Sequence, residues 1–271
     1  MLTVQQKVPP IMVFAGLDPT GGAGLQADIE SIASLGGHAL PVITTITVQD
    51  TRGVKRFSAV EGLTVIEQAR AVLEDIDAAA FKIGVTGSVE NIETIHSILR
   101  DFPGRPVVVD PVCASSGGQP FMDEEQLDAM VSLLIPQATV VTPNIPEARL
   151  LAPEADSVNA IAQQILSYGC QYVLITGTHE PAAEPKVTNR LFSDLRLVQE
   201  YTCERLPYDY HGSGCTLASA IATLLAHGVE PQVAVGEAIH FTVESLRGAR
   251  RLGAGQMLPD RLHWAREQPI E

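Results

Sequence analysis

The sequence predicts an α/β fold built on a largely parallel sheet with helices on both faces. Three observations carry that expectation. Short apolar runs rich in β-branched residues recur at strand length, helical periodicity fills the intervals between them, and most of the runs meet glycine, proline or aspartate within two residues of their end.

The first run, residues 11–15, is apolar throughout, as a strand covered on both faces must be. It leaves through GLDPTGGAG into a helix over residues 25–35, and a second run follows at 41–47. Ile66, Ala69 and Leu73 then stripe one face of a helix, because residues three and four apart are neighbours on its surface. The alternation continues with a strand at 79–83, a stripe of Ile92, Ile95 and Leu99, a strand at 107–109, and a stripe of Leu127, Met130, Val131 and Leu134. Strands at 139–141 and 172–175 complete the parallel set, and residues 190–193 and 197–205 alternate like hairpin arms around Asp194. HGSGCT, residues 211–216, opens an amphipathic helix, and Val235, Ile239, Val243 and Leu246 mark a last one. No internal repeat and no long linker interrupts the series, so residues 1–271 read as a single domain.

Composition narrows the function. A formal net charge of −14 argues against a broad nucleic-acid or anionic-membrane surface, which needs clustered Lys and Arg. The N-terminus lacks a signal-peptide pattern and no apolar run reaches membrane-spanning length, which leads us to expect a cytoplasmic protein. Cys113, Cys170, Cys203 and Cys215 are scattered, with no zinc or dithiol spacing, and are expected to stay reduced. The seven histidines form no metal-ligand spacing; only His179 and His211 fall at strand exits.

In such a sheet, ligands bind beyond the carboxyl ends of the strands, and the polar residues collect there. HGSGCT sets glycines at 212 and 214 before a helix whose first N–H groups, from Ser213 to Thr216, are unpaired donors at its positive end. It reads as a cradle for an oxyanion or as an ordinary helix entry with Ser213 as N-cap. Asp18 and Asp110 each stand after a strand and before a proline, and with Glu147 they suit a Mg²⁺ or substrate site as well as plain turns. Asn144 and Glu147 also have capping-box spacing. The segment GAGLQA matches a dinucleotide fingerprint, but the loop before it is long and no acidic residue closes the next strand. P-loop, zincin and G-x-S-x-G motifs are absent.

Taken together, GLDPTGGAGLQADI, TVQDT, KIGVTGS, VVVDPV, TPNIPEA and HGSGCTLASAIA resemble, in order and over nearly the whole chain, the hydroxymethylpyrimidine/phosphomethylpyrimidine kinases of the ribokinase-like superfamily. That resemblance implies a three-layer α/β/α sandwich and ATP- and Mg²⁺-dependent phosphorylation of 4-amino-5-hydroxymethyl-2-methylpyrimidine, then of its monophosphate, in thiamine biosynthesis. It implies that Gly16, Asp18, Gln49 and Val85 meet the pyrimidine, and that Asn144, Thr176 and Gly177 meet the nucleotide. By the same resemblance Asp110 and Glu147 take the metal, Gly212, Ser213, Gly214 and Cys215 form the anion hole, and the chain pairs as a homodimer.

Two departures stand out: Leu17 replaces a small or polar residue, and Thr176-Gly-Thr-His179 replaces a K-G-G-H element, removing a lysine near the transferring phosphate. Cys215 occupies the place of the superfamily's aspartate base. At a helix N-terminus its thiol is expected to have a depressed pKa, so it reads either as a base or as a passive member of the hole. A pyridoxal kinase, an NAD(P)-binding oxidoreductase and a non-catalytic pyrimidine-binding protein are the competing readings.

Overall fold

The computed structural model describes residues 8–115, 118–177 and 185–266. The pleat of the first strand, β1 (Pro10–Leu17), already sorts the interior into two cores. Met12 and Phe14 point to one side and Ile11, Val13 and Ala15 to the other, and all five are buried, because alternate residues of a strand face opposite ways. Around β1 lie β2 (His38–Asp50), β3 (Gly53–Ala59), β4 (Ala80–Ile83), β5 (Val107–Val109), β6 (Val140–Val141), β7 (Tyr172–Ile175), β8 (Lys186–Ser193) and β9 (Arg196–Glu204). Among the described residues they form a nine-stranded sheet in the order β3-β2-β1-β4-β5-β6-β7-β8-β9. The six strands from β2 to β7 in that order run parallel; β3 pairs antiparallel with β2, β8 with β7, and β9 with β8.

Helices cover both faces. On the Met12 and Phe14 side lie α2 (Gly62–Leu73), α3 (Val89–Arg100), α4 (Glu124–Ala129) with its π-helical extension Met130–Leu134, α5 (Ile145–Leu151) and α6 (Val158–Ser167). On the other side lie α1 (Gly24–Ser34), α7 (Ser213–Ala226) and α8 (Pro231–Arg247). The result is the three-layer sandwich expected.

The departures from expectation have local causes. β2 runs past residue 47 and turns at Thr51 into β3, a strand the apolar pattern does not reveal because none of its seven residues is buried. Glycine, not serine, caps α7: Gly212 adopts φ +74°, and Ser213 is the first helical residue. The hairpin β8–β9 turns at Asp194 and Leu195, both with positive φ.

Candidate active site

The chain leaves β1 toward β2 on one side and returns to β4 on the other, so the order of strands reverses between β1 and β4. A crevice opens at such a switch point, beyond the carboxyl ends of the strands. α7 packs over β1, β4 and β5, and its N-terminus therefore stands at the mouth of that crevice. Gly212 to Cys215 present the unpaired N–H groups of this helix start there, and no side chain caps them.

Two glycine loops meet at this point. A Cβ on Gly212 would overlap the Gly22 carbonyl oxygen, and one on Gly24 would overlap the Gly16 carbonyl, so both contacts need glycine. Asp18 ties the same loops together. Its carboxylate accepts from Thr20 N (2.8 Å), Thr20 Oγ1 (2.9 Å), Ala23 N (2.8 Å) and His211 Nε2 (2.8 Å). Burial pushes the Asp18 pKa up, but His211 and Thr20 outweigh it and hold the carboxyl below its usual range.

Beneath the helix start lies a buried charged cluster. Lys82 follows Ala80 on the α7 face of β4, where its ammonium meets Asp28 Oδ1 at 2.8 Å; both side chains are fully buried. Ser219 Oγ, one turn beyond Cys215, donates to the same oxygen at 2.6 Å. Burial works against the lysine's charge, but Asp28, Cys215 and Asp110 together hold it above the ordinary lysine value. Asp110 lies 3.7 Å from a Cβ placed on Gly214, and its Oδ2 is buried without a protein partner. Burial raises the Asp110 and Glu147 carboxyls above the usual range; the Asp110 charge adds to the shift of Glu147, while Lys82 pulls Asp110 back against Asp28.

The same surroundings correct the expectation for Cys215. Burial first, then the Asp110 and Asp28 carboxylates, push its thiol up to about 12, and Lys82 only partly opposes them. The helix N-terminus does not make it a thiolate.

The remaining sequence-derived residues line the two flanks. On the β2 side, Gln49 shares a strand face with Thr45, and Thr45 packs against Gly16, whose other neighbour is Val85. On the β6 and β7 side, Asn144 and Thr176 form a parallel bridge, and Gly177 N–H donates to Asn189 Oδ1 at 3.2 Å. Asn144 and Glu147 complete the capping box at the start of α5, each side chain accepting from the other's N–H at 2.9 Å. In strand order the set runs Gln49, Gly16 and Asp18, Val85, Asp110, Asn144, Thr176, with the helix start of Gly212 to Cys215 over the middle. Thr178 and His179 lie outside the described residues, and Leu17 is exposed. Lys82 and Arg261 are the important side chains that sequence reasoning missed; a lysine inside the apolar stretch AAAFKIGV was the available signal for the first.

Comparison with known proteins shows the family. A model of the family described as phosphomethylpyrimidine kinase matches residues 18–260. A hydroxymethylpyrimidine/phosphomethylpyrimidine kinase of Mycobacterium tuberculosis is 40% identical over 253 residues, covering 91% of each chain. A thiamine biosynthesis bifunctional protein of Geobacter sulfurreducens is 35% identical over 249 residues, 90% of this chain and 50% of that protein. Among solved structures, the pyridoxal kinase of Staphylococcus aureus in complex with pyridoxal superposes with a TM-score of 0.85 at 26% identity, covering 96% of both chains.

Proposed function

Because this chain belongs to the phosphomethylpyrimidine kinase family, we propose that its crevice holds the aminopyrimidine on the Gln49 flank and ATP on the Asn144–Thr176 flank, either side of the anion hole. The enzyme is an ATP-dependent hydroxymethylpyrimidine/phosphomethylpyrimidine kinase of thiamine biosynthesis. We take residues 1–271 as a single kinase domain. The observation that carries the assignment of flanks is the unpaired helix start of Gly212 to Cys215 at the switch point between them.

Phosphoryl transfer needs positioned donors for charge that develops on the transferring group, and the N–H groups of Ser213, Gly214 and Cys215 serve that need. Gln49 is the free amide of the pyrimidine flank and pairs with the ring's amino group and nitrogen. Asp18 already serves four protein donors, so it acts by holding the loop in which Gly16 sits. Gly16 and Val85 wall the ring, and Asn144, Thr176 and Gly177 meet the nucleotide. Cys215 keeps its proton and serves as a member of the hole. A loose transition state leaves the acceptor hydroxyl largely protonated until late, so a strong resting base is not required.

Asp110 and Glu147 fit Mg²⁺: an orphaned buried carboxylate oxygen beside a second carboxyl with a raised pKa is what a hard cation with one or two carboxylate ligands would relieve. When bound, the ion would offset charge on the nucleotide phosphates. A homodimer is the assembly we propose; Leu17, Ile46 and Val48 expose an apolar strip at the paired carboxyl ends of β1 and β2 that a second copy would cover. Four unpaired cysteines accord with the reducing cytoplasm, where we place the enzyme.

Incubation of the purified protein with the pyrimidine alcohol, ATP and Mg²⁺, followed by ³¹P NMR, tests the reading: mono- and diphosphate products are expected, and their absence at high enzyme concentration would overturn it. A second reading, pyridoxal phosphorylation, is favoured by the likeness to the pyridoxal-bound enzyme of S. aureus. The ratio of kcat/KM on the two alcohols separates them, and we expect it to favour the pyrimidine.

A further inference from the structure

The largest fully buried side chain among the described residues is that of Arg261, which lies one residue past the segment matched by the family model. It is 1% exposed. An arginine so placed must satisfy a planar fork of donors inside the protein, and this one does so across two distant loops. Its Nε donates to Thr216 Oγ1 at 2.9 Å. One terminal nitrogen donates to Gly21 O at 3.4 Å and pairs with Glu30 Oε2 at 3.1 Å, and the other donates to Gly22 O. Glu30 balances the charge, so no unpaired cation is buried.

The contact with Thr216 reaches the anion hole. Thr216 Oγ1, while accepting from Arg261, donates to Gly212 O at 2.8 Å, and Thr216 N–H donates to the same carbonyl at 3.0 Å. The Gly212 carbonyl and the Ser213 N–H belong to one planar trans peptide, so fixing the direction of the first fixes the second, which points the opposite way. Arg261 thus sets the aim of an anion-hole donor through a single hydroxyl. Its grip on Gly21 O and Gly22 O holds the opposing loop, whose Gly22 carbonyl abuts Gly212.

The C-terminal segment delivers the arginine to this position. Met257 is bridged to Tyr210 just before the hole, His211 N–H donates to Met257 O at 2.9 Å, and Ser34 Oγ donates to the Arg261 carbonyl at 2.6 Å. The segment therefore reaches both loops, and before them it touches the turn after β2, where Gln256 N–H donates to Thr51 O at 2.8 Å.

We infer that Arg261 is a positioning residue for phosphoryl transfer, acting through Thr216 on the peptide of Gly212 and Ser213 and through Gly21 and Gly22 on the opposing loop. The inference rests on the kinase reading, which wild-type turnover tests separately.

The experiment measures kcat, KM for pyrimidine and for ATP, and thermal melting for Thr216→Val, Thr216→Ser and Arg261→Lys. Displacement of a positioned group by about 1 Å can cost about 100-fold in rate, so Thr216→Val and Arg261→Lys are expected to lower kcat by roughly 10- to 100-fold while KM for the pyrimidine moves less than about threefold. Thr216→Ser, which keeps the hydroxyl relay, is expected to recover most of kcat. Retention of wild-type kcat by Thr216→Val, equal loss in Thr216→Ser, or a rise in KM matching the fall in kcat would overturn the inference. Should Arg261→Lys fail to fold, the two Thr216 variants, which leave Arg261 in place, decide by the same criteria.

Discussion

Gly212 and Gly22, 190 positions apart in the chain, meet backbone to backbone: the left-handed Gly212 (φ +74°) leaves no room for a Cβ beside the Gly22 carbonyl oxygen. The rim of the proposed anion hole is therefore a contact between two loops rather than the property of one. Gly212→Ala must rotate the peptide that carries the Ser213 N–H or push the Gly22 loop away. A drop in kcat of about 100-fold is expected from such a displacement. Gly228→Ala is the comparison, since its φ of +81° is equally left-handed but no atom lies within 4 Å of the added carbon. That variant should lose only about 1 kcal/mol of stability and keep wild-type turnover. Equal kcat values for the two alanine variants would show that the loop contact has no catalytic consequence.

Cys215 tests how far a helix dipole governs a thiol when carboxylates surround it. With its pKa raised to about 12, the thiol stays protonated at neutral pH, whereas a thiolate is the species that alkylating agents attack. Iodoacetamide should label Cys215 at pH 7 more slowly than it labels a free small-molecule thiol, read by mass spectrometry of the peptide. Cys215→Ser should retain kcat within about tenfold, the usual lower bound for loss of a general base being about 100-fold. Fast labelling, or a rise of kcat with pH through an ionisation that the serine variant abolishes, would restore the thiol as base.

Asp18 gives the fold an acid-sensitive contact. Its folded pKa lies below the ordinary aspartate value once the donors of His211 and Thr20 have overcome burial. A depressed carboxyl contributes stability that is present above its unfolded pKa and disappears as pH falls through the folded one. The melting temperature of the wild type minus that of Asp18→Asn should therefore be positive at pH 6 and shrink below about pH 4. A constant difference from pH 6 to pH 2.5 would mean that the charge of Asp18 does not hold the loop.

β1, β4, β5, β6 and β7 were legible because each is buried on two faces and reads as an unbroken apolar run; β3 was hidden because both its faces are open to solvent. The glycines of HGSGCT announced a close approach, yet they could not say that Gly212 would end the loop by its backbone conformation while Ser213 entered the helix. The sign of the shift at Cys215 was misjudged from local context, since Asp110 arrives from β5 and Asp28 from α1. Long separations hide partners in the same way. Lys82 finds Asp28 across 54 positions, and Arg261 finds Gly22 across 239.

The Lys82–Asp28 pair separates support of the fold from support of the site. Removing one partner of a buried ion pair strands the other charge and costs about 3–5 kcal/mol, whereas replacing both with apolar side chains is often neutral. Lys82→Met alone leaves Asp28 with Ser219 Oγ as its remaining donor and with Oδ2 unpartnered, so a large fall in melting temperature is expected. The double variant Lys82→Met/Asp28→Leu fills the same space without charge and should melt near the wild type. Turnover should not follow. Of the two charges, Lys82 has the larger effect on Asp110, favouring the ionised carboxylate, so removing both leaves that group in a less favourable field. The double variant is accordingly expected to be stable but to show a reduced kcat with KM for the pyrimidine little changed, measured in the same ³¹P assay. Full recovery of kcat together with stability would assign the pair to the core alone, and failure of the double variant to regain stability would contradict the burial of both charges as the source of the single variant's defect.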